Sequence, residues 1–208
     1  MNTKAIRELK RKLTLTEQQR EIIAGTLFGD GHLETQDNGR TYRLKIEHSV
    51  IQSEYLNWLY HELRSWIPSE PYTKIKKNLV CMGVRTYSHS MFTDFGKIFY
   101  QNGKKIMPKG VEKLLTPLSL AIWFMDDGSF KSAKHRTYII HTLGYSRNEL
   151  EDVQQILFSK FDLHTSLHKQ KKKYLRLYIQ SQSAGKFKKL IEPYMLPSMK
   201  YKLGNTNA

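Results

Sequence analysis

The stretch from Leu120 to Gly128, which reads Leu-Ala-Ile-Trp-Phe-Met-Asp-Asp-Gly, most constrains what this chain can fold into. Its apolar part is about two helical turns long, and two adjacent acids and a glycine follow it. A helix that ends there places Asp126 and Asp127 where backbone carbonyls lack helical partners and where the macrodipole disfavours anions. A divalent cation would offset the negative charge, because hard cations prefer oxygen ligands. The stretch therefore predicts a buried helix that ends at a metal site.

A weaker copy of this pattern lies in the first half of the chain, from Ile23 to Gly31, and reads Ile-Ala-Gly-Thr-Leu-Phe-Gly-Asp-Gly. When the final glycines are aligned, Ala24 falls on Ala121 and Asp30 falls on Asp127. Two helices of the same phase that both end in Asp-Gly indicate a duplicated unit with a twofold-like axis. The alternative interpretation is a pair of ordinary buried helices with polar ends.

The residues around the first copy predict how its helix begins and how it packs. Thr14 and Glu17 have the spacing of a capping box, which predicts the start of the helix. Gly25 and Gly29 are four residues apart, a spacing that lets two helices approach closely. Two carboxylates brought to about 4 Å repel by roughly 4 kcal/mol at an effective dielectric constant of about 20. A shared divalent metal reverses the sign of that interaction.

The composition favours a partner that is a polyanion. The formal net charge is +15 and is spread along the whole chain, which is typical of a folded surface that meets nucleic acid rather than a membrane. The single cysteine, Cys81, excludes an internal disulfide and a cysteine-based zinc site, and the eight histidines are scattered. No apolar run approaches the roughly 18 residues of a membrane span, and the N-terminus lacks a signal-peptide core. We therefore expect an intracellular protein that is not secreted and has no membrane partner.

Hydrophobic periodicity repeats one element order, helix-strand-strand-helix-strand-strand-helix, in each half of the chain. It predicts an N-terminal half at 1–101 with its motif helix at 15–30, a connector at 102–115, and a C-terminal half at 116–208 with its motif helix at 117–128. We expect an α+β fold of two pseudo-twofold αββαββα units, in which helices cover one face of two antiparallel sheets.

The uncovered face of each sheet is the candidate nucleic-acid interface. Apolar and charged residues alternate in the strand at 40–48, so the charged residues share one face. A two-stranded ribbon of this kind fits the major groove of DNA. The alternative is an ordinary solvated face. The residues that we expect to contact DNA are Arg43, Lys45, Glu47, Lys74, Lys76, Arg85, Lys131, Lys171, Arg176, Tyr178 and Gln180.

Both motifs resemble the LAGLIDADG motifs of homing endonucleases, in the single-chain form with two motifs, and the nearest likeness is to a yeast mitochondrial intron-encoded member. The first motif departs from the family pattern at Thr26 and Phe28, and bulkier residues replace its glycines in the second motif. The resemblance covers most of the chain. Its other matching segments are Thr41-Tyr42, Leu115-Thr116-Pro117, Leu190-Ile191-Glu192-Pro193-Tyr194-Met195-Leu196-Pro197 and Tyr201-Lys202-Leu203.

The resemblance implies a monomer that sets two antiparallel sheets as a saddle on double-stranded DNA. Such enzymes make a staggered double-strand break with short 3′ overhangs and use Mg²⁺. Carried onto this chain, the resemblance implies that Asp30 and Asp127 are catalytic acids that bind two or three Mg²⁺ ions, for which Mn²⁺ substitutes. The backbone carbonyls of Gly29 and Asp126 complete the metal shell, and the Asp126 side chain has no catalytic role.

The resemblance also implies two catalytic lysines, Lys105 and Lys202, near the scissile phosphates, where they would polarise solvent or stabilise the transition state. Two other functions remain open: an RNA maturase that assists splicing of its own intron, and a DNA-binding regulator that does not cut. The presence of both acids favours the nuclease. We expect the protein in the compartment that holds its target genome, which is a mitochondrion, another organelle or the bacterial cytoplasm.

Overall fold

The computed structural model describes residues 3–132, 134–142, 144–171 and 174–204, so the outer ends of the two predicted halves, residues 1 and 208, lie outside it. Within these ranges the chain forms helices packed on two four-stranded antiparallel sheets, with a two-stranded hairpin between them in sequence. In the described residues, no helix combines the length and the hydropathy that a membrane span requires.

The N-terminal part begins with an exposed basic helix and then follows the predicted order. Helix α1 (Lys4–Lys12) has no buried residue. The helices and strands that follow are α2 (Glu17–Phe28), β1 (His32–Glu34), β2 (Arg43–Ser49), α3 (Ser53–Glu62), β3 (Tyr72–Lys76), β4 (Leu79–Arg85) and α4 (Ser90–Phe99). From α2 onward this is the order αββαββα.

The C-terminal part repeats that order after a short hairpin of β5 (Tyr100–Gln101) and β6 (Lys104–Lys105). Its last described segment is a 3₁₀ helix at Pro197–Leu203. The helices and strands of this part are α5 (Pro117–Asp127), β7 (Gly128–Phe130), β8 (Tyr138–Ile140), α6 (Arg147–Phe161), β9 (Thr165–Gln170), β10 (Tyr174–Ile179) and α7 (Ser181–Ile191).

The two sheets have the same topology. Their strand orders are β1-β2-β4-β3 and β7-β8-β10-β9, and all of these pairings are antiparallel. The registers also correspond, since His32 pairs with Lys45 in one sheet and Ser129 pairs with Ile139 in the other. The prediction of a duplicated α+β fold with two antiparallel sheets is therefore confirmed.

One face of each sheet packs on the helices, and the other is open. Along β2, buried residues alternate with partly exposed ones, so that Leu44, Ile46 and His48 face the helices. We call the opposite face, with Lys45 and Glu47, the open face. Helices α2 and α5 are buried around most of their circumference, as expected of helices that lie between other elements instead of on the surface.

Helices α2 and α5 pack small residues of one against large residues of the other. A Cβ atom added to Gly25 would lie 2.7 Å from the Ile122 Cβ and 2.7 Å from the Ser119 carbonyl oxygen. A Cβ at Gly29 would lie 2.5 Å from the Asp126 Cβ. The prediction of close helix packing at these glycines is confirmed. The bulkier residues of the second motif occupy the space that the glycines leave.

The helix boundaries differ from the predicted ones at the N-terminal motif. The capping box is formed by Thr16 and Gln19 and not by Thr14 and Glu17: the Thr16 hydroxyl accepts from the Gln19 amide, and Gln19 Oε1 accepts from the Thr16 amide. Thr16 takes this role because the preceding Leu15 is buried in the core, which fixes where the chain turns into α2. The helix then stops at Phe28, because the backbone leaves the helical region at Gly29, with φ of −101° and ψ of −126°.

Candidate metal centre and nucleic-acid interface

The C-terminal ends of α2 and α5 meet, and an acid follows from each. Asp127 is the last residue of α5, whereas Asp30 lies two residues beyond the end of α2. The Asp30 amide donates a hydrogen bond to Asp126 Oδ2 across the helix pair, at 3.1 Å. The structure therefore brings the two predicted acids close enough together that the charge of Asp30 raises the pKa of Asp127.

Two lysines bind the carbonyl groups at these helix ends. Lys105, at the end of the β5–β6 hairpin, donates from Nζ to the carbonyl oxygens of Gly29 and Gly31, each at 2.7 Å. Lys202, on the 3₁₀ helix Pro197–Leu203, donates to the carbonyl oxygen of Asp126 at 2.9 Å and also to that of Met125. Ammonium groups at helix C-termini interact favourably with the macrodipole. These lysines thus neutralise part of the negative charge at the helix ends that, from the sequence alone, a metal ion was expected to neutralise.

Burial and mutual charge shift the protonation of the site. Burial, and then the charge of Asp30, raise the pKa of Asp127 to about 7, although Lys105 and Lys202 oppose the shift. Burial lowers the pKa of Lys105 and of Lys202 from the ordinary value, and the neighbouring carboxylates oppose this change. In this site, burial disfavours the charged form of each group, and the opposite charge of its neighbours favours that form.

The oxygen atoms at the helix ends fit a hard divalent cation. Asp30 and Asp127 supply carboxylates, and Gly29 and Asp126 supply backbone carbonyls. Each carbonyl oxygen has two lone pairs, so a hydrogen bond from a lysine leaves one for a metal. Carboxylate and carbonyl oxygens are the ligands that Mg²⁺ and Mn²⁺ prefer.

The Asp126 side chain links the two halves. It is 1% exposed, and its Oδ1 accepts from the Tyr55 hydroxyl at 2.8 Å while its Oδ2 accepts from the Asp30 amide. Burial, and then the charges of Asp30 and Asp127, raise its pKa well above the usual range. Gly29 makes room for this carboxyl, since a side chain at that position would overlap it.

Sequence reasoning missed His48, because it treated the histidines as scattered. The His48 ring lies between two acids, with Nδ1 3.8 Å from Asp30 Oδ2 and Nε2 3.7 Å from Asp126 Oδ1. Burial lowers its pKa. A signal was present in the strand alternation, which puts this polar residue at a core position in line with Leu44 and Ile46.

The open face of the N-terminal sheet is a network of ion pairs. Lys45 Nζ lies 3.0 Å from Glu34 Oε1 and 3.4 Å from Glu47 Oε1. Glu34 also pairs with Arg43 at 3.0 Å, and Lys74 pairs with Glu47. Most of the predicted DNA-contacting cations of this sheet therefore share their charge with a carboxylate.

Hydrogen bonds hold Glu47 in its ionised form. Burial opposes ionisation, but hydrogen bonds from Lys74 and Tyr72 outweigh it and lower the pKa of Glu47 to about 2. Arg85 lies over the Tyr72 ring, 4.5 Å from its centroid, whereas Lys76 is exposed at the end of β3. The four side chains Glu47, Lys74, Tyr72 and Arg85 form a connected polar surface.

The open face of the C-terminal sheet carries cations without carboxylate partners. In the described part of the chain, neither Lys131 nor Arg176 lies within salt-bridge distance of an acid, and Arg176 Nε has no hydrogen-bond partner. Lys131 Nζ lies 5.3 Å from the centroid of the Tyr178 ring, which packs on His168. A phosphate backbone would meet free positive charge here.

The two remaining predicted contacts lie at the ends of the C-terminal strands. Lys171 is exposed in the turn between β9 and β10, and its φ is 48°. Gln180 is the residue that precedes the first turn of α7. Its side-chain amide donates to the Thr165 carbonyl oxygen at 3.1 Å, so one of its donors is used within the protein.

Two curated relatives match nearly the whole chain. The probable intron-encoded endonuclease 1 of Wickerhamomyces canadensis is 30% identical over 213 residues, which cover 97% of this chain and 91% of the relative. The cytochrome b mRNA maturase bI2 of Debaryomyces hansenii is 31% identical over 201 residues, which cover 92% of this chain and 75% of the relative.

Solved structures agree with these sequence matches. The homing endonuclease I-WcaI bound to its DNA recognition sequence superposes with a TM-score of 0.90 at 28% identity, covering 97% of this chain and 93% of that chain. I-DmoI in complex with DNA and Mn superposes with a TM-score of 0.54 at 14% identity, covering 85% and 97%, and shows the fold alone. A model of the LAGLIDADG DNA endonuclease family matches residues 20–187. The chain therefore belongs to the LAGLIDADG DNA endonuclease family.

Proposed function

We propose that the protein is a sequence-specific homing endonuclease that cuts both strands of a long, asymmetric DNA site and leaves short 3′ overhangs. The observation that carries this proposal is the meeting of Asp30 and Asp127 at the ends of two packed helices, each helix end holding a lysine ammonium group. Family membership supports DNA as the substrate. Two acids in one site, on a chain of net charge +15, suit chemistry on a phosphodiester.

Asp30 and Asp127, with the carbonyls of Gly29 and Asp126, would hold two or three Mg²⁺ ions, for which Mn²⁺ substitutes. Bound divalent metal would lower the pKa of a coordinated water and stabilise the leaving oxyanion. The Mn-containing structure of I-DmoI with DNA supports a divalent metal in this fold. Asp126 contributes its carbonyl to this set, and its side chain holds the two helix ends in register.

Lys105 and Lys202 have two tasks in the proposed reaction. They hold the helix-end carbonyls in place, and their positive charge stabilises the negative charge that develops on the phosphate. Because burial lowers their pKa, each lysine is poised to give up a proton more readily than an exposed lysine.

The open faces would bind the duplex. We assign one half of the target site to the N-terminal half, 1–101, and the other half of the site to the C-terminal half, 116–208, with 102–115 as the connector. The DNA-bound structure of I-WcaI supports a monomer on double-stranded DNA. The protein would act in the compartment that holds its target genome.

The test begins with selection of cleavable sites from a randomised duplex library, followed by cleavage of a plasmid that carries the selected site, with Mg²⁺. We expect linear product with 3′ overhangs from the wild type. Asp30→Asn and Asp127→Asn should each lower the rate of double-strand cutting by at least about 100-fold, more than loss of an outer-shell partner. Asp94→Asn is the matched control, because Asp94 is exposed on α4 and its ion-pair partner among the described residues is Lys97. Undiminished cutting by either site variant would refute the proposal.

A second function, intron RNA maturation, is favoured by the identity to the Debaryomyces hansenii maturase. Tight binding to the transcript of the flanking intron, together with an intact plasmid in the same buffer, would establish it in place of cleavage. Binding to the selected DNA without cutting and without RNA affinity would indicate a DNA-binding regulator.

A further inference from the structure

The imidazole of His48 is a buried group with an unused nitrogen. The side chain is 2% exposed, and Nε2 is a buried polar atom without a hydrogen-bond partner among the described residues. Buried polar atoms in folded proteins are nearly always hydrogen-bonded, so an exception requires an explanation. Histidine, moreover, is the commonest nitrogen ligand for metals in proteins.

The two acids beside His48 are held in different ways. Asp126 is fixed behind the ring by the Tyr55 hydroxyl and the Asp30 amide. The Asp30 side chain is 51% exposed and has Oδ2 on the Nδ1 side of the ring. Ligand atoms of Asp30, His48 and Asp126 all lie within 4.8 Å of one another.

Solvent reaches Asp30 and His48 through one cavity. Its volume is about 390 Å³, and its lining includes both of these residues but not Asp126. An ion in this cavity would meet the Asp30 carboxylate and the His48 ring, whose Nδ1 is the nitrogen on the Asp30 side, with the Gln52 side chain as the other hydrogen-bonding neighbour of the ring. The lining also includes Glu47, His32 and Cys81, together with the ammonium groups of Lys45 and Lys76.

We propose that Asp30 and His48 Nδ1 form a nitrogen-containing metal site at the end of α2, with the Asp126 carboxylate as the orienting partner of His48 Nε2–H. Metal-bound histidines commonly donate their second N–H group to a carboxylate, which fixes the ring and its tautomer. The Nε2 to Oδ1 distance of 3.7 Å is about 0.5 Å beyond the hydrogen-bond range, so the ring and the carboxylate would have to approach each other by that much when the metal binds. The inference rests on the proposed function in one respect, namely that Asp30 is a ligand both in the catalytic metal centre and in this site.

Imidazole changes which ion the site prefers. Mg²⁺ favours oxygen ligands, whereas Zn²⁺, Co²⁺ and other late transition ions bind imidazole well. The end of α5 differs: His141 lines the cavity of Asp127 and its Nε2 is hydrogen-bonded to the Ser129 hydroxyl at 3.1 Å, but among the described residues the cluster of three such ligands is Asp30, His48 and Asp126, which does not include His141. We therefore expect a transition ion to select the α2 end.

The test measures metal binding by the full-length protein without DNA. After treatment with a chelator, the protein is titrated with Co²⁺, followed by visible absorption, and with Zn²⁺, followed by calorimetry. We expect one tight site in the wild type, affinity at least about tenfold weaker in His48→Gln, and about tenfold weaker in Asp126→Asn, as for other partners of ligating histidines. His141→Gln, the matched histidine of the other half, should bind as the wild type does. Equal affinity in wild type and His48→Gln, or a loss in His141→Gln alone, would overturn the proposal.

A measurement on the wild type covers the possibility that a variant folds poorly. In a two-dimensional spectrum that correlates imidazole protons with ring nitrogens, Zn²⁺ should move the Nδ1 resonance of His48 and leave that of His141 in place. Cleavage with Mg²⁺ is assayed separately. A protein that cuts with Mg²⁺ and shows no response at His48 sinks this inference alone, and a protein that binds Zn²⁺ at His48 and never cuts sinks the proposed function alone.

Discussion

The ends of α2 and α5 carry the same pair of residues, Asp-Gly, in different surroundings. Asp30 lies outside its helix, has a 51% exposed side chain and faces His48 and an open cavity. Asp127 is the last residue of its helix and lies in a smaller cavity of about 240 Å³ with Lys105 and Tyr145. The comparison teaches that duplication of a backbone preserves the position of an acid and not its chemical environment. The two strands of a bound duplex would therefore meet acids in two different environments.

The open faces of the sheets differ in a related way. In the N-terminal sheet, carboxylates such as Glu34 and Glu47 neutralise the neighbouring cations. In the C-terminal sheet, Lys131 and Arg176 have no such partner among the described residues. One face is a preorganised polar surface, which suits the reading of bases, and the other is a source of free charge, which suits phosphates.

The largest expected effect is a pH dependence in the stability of the metal-free protein. It arises from Asp127 at the end of α5. The pKa of Asp127 is about 7 in the folded state and 3.8 in the reference state, so the folded protein holds this proton more tightly. Its contribution is fully present below about pH 4 and is lost as the pH rises through about 7, a change of about 4 kcal/mol. Asp127→Asn removes this loss. The variant should therefore gain about 4 kcal/mol relative to the wild type between pH 4 and pH 8.

Denaturant unfolding in the presence of a chelator, at several pH values, measures this gain. Asp94→Asn serves as the control, since Asp94 is exposed on α4 and pairs with Lys97. A stability difference between Asp127→Asn and wild type that does not change with pH would show that Asp127 is an ordinary solvated carboxylate.

Much of this comparison was visible in the sequence, and the limit is physical. The two Asp-Gly ends, the repeated element order and the alternation in β2 are local or repeated patterns, so they can be recognised in the sequence without knowledge of which distant residues come into contact. The asymmetry is not periodic. It depends on pairs such as Gly29 with Asp126 and His48 with Asp30, which lie far apart in the chain and meet only after packing. Lys105 and Lys202 were found through resemblance, because nothing in their local sequence points to a helix end.

The next effect tests the small-against-large packing of α2 on α5. Gly25→Ala should destabilise the protein by about 3 kcal/mol, because the new Cβ would lie 2.7 Å from both the Ile122 Cβ and the Ser119 carbonyl oxygen. Gly185→Ala in α7 is the control: a Cβ there meets nothing within 4 Å, so a gain of about 0.5–1 kcal/mol is expected from helix propensity.

A double-variant cycle of Gly25→Ala with Ile122→Gly sharpens this result. Ile122→Gly alone should also destabilise, because it leaves a cavity and places glycine inside a helix. The double variant should be less unstable than the sum of the two by at least about 1 kcal/mol. Strict additivity in thermal unfolding would mean that the two positions do not share one space.

A smaller effect concerns the N-terminal ends of the same helices, which are alike although their C-terminal ends differ. Thr16 and Thr116 each accept from the amide three residues on, within complete capping boxes. Thr16→Ala and Thr116→Ala should each lower stability by about 1 kcal/mol. Equal losses of stability in the two variants would show that α2 and α5 are alike at their N-terminal ends and differ at their C-terminal ends. A difference of more than about 1 kcal/mol between the two losses would contradict this.

The smallest expected effect compares the two open faces on DNA. If Arg176 neutralises one phosphate, Arg176→Ala should reduce the slope of log affinity against log salt by about 0.9. Lys74→Ala should change it much less, because Glu47 already neutralises the Lys74 ammonium group. In a Glu47→Gln background the Lys74 charge is free, and Lys74→Ala should then change the slope by nearly as much as Arg176→Ala does. Binding isotherms at four salt concentrations, with a site variant that cannot cut, give all of these slopes. An equal and large slope change for Lys74→Ala in the presence of Glu47 would show that DNA breaks the ion pair, and the two faces would then bind the duplex in the same way.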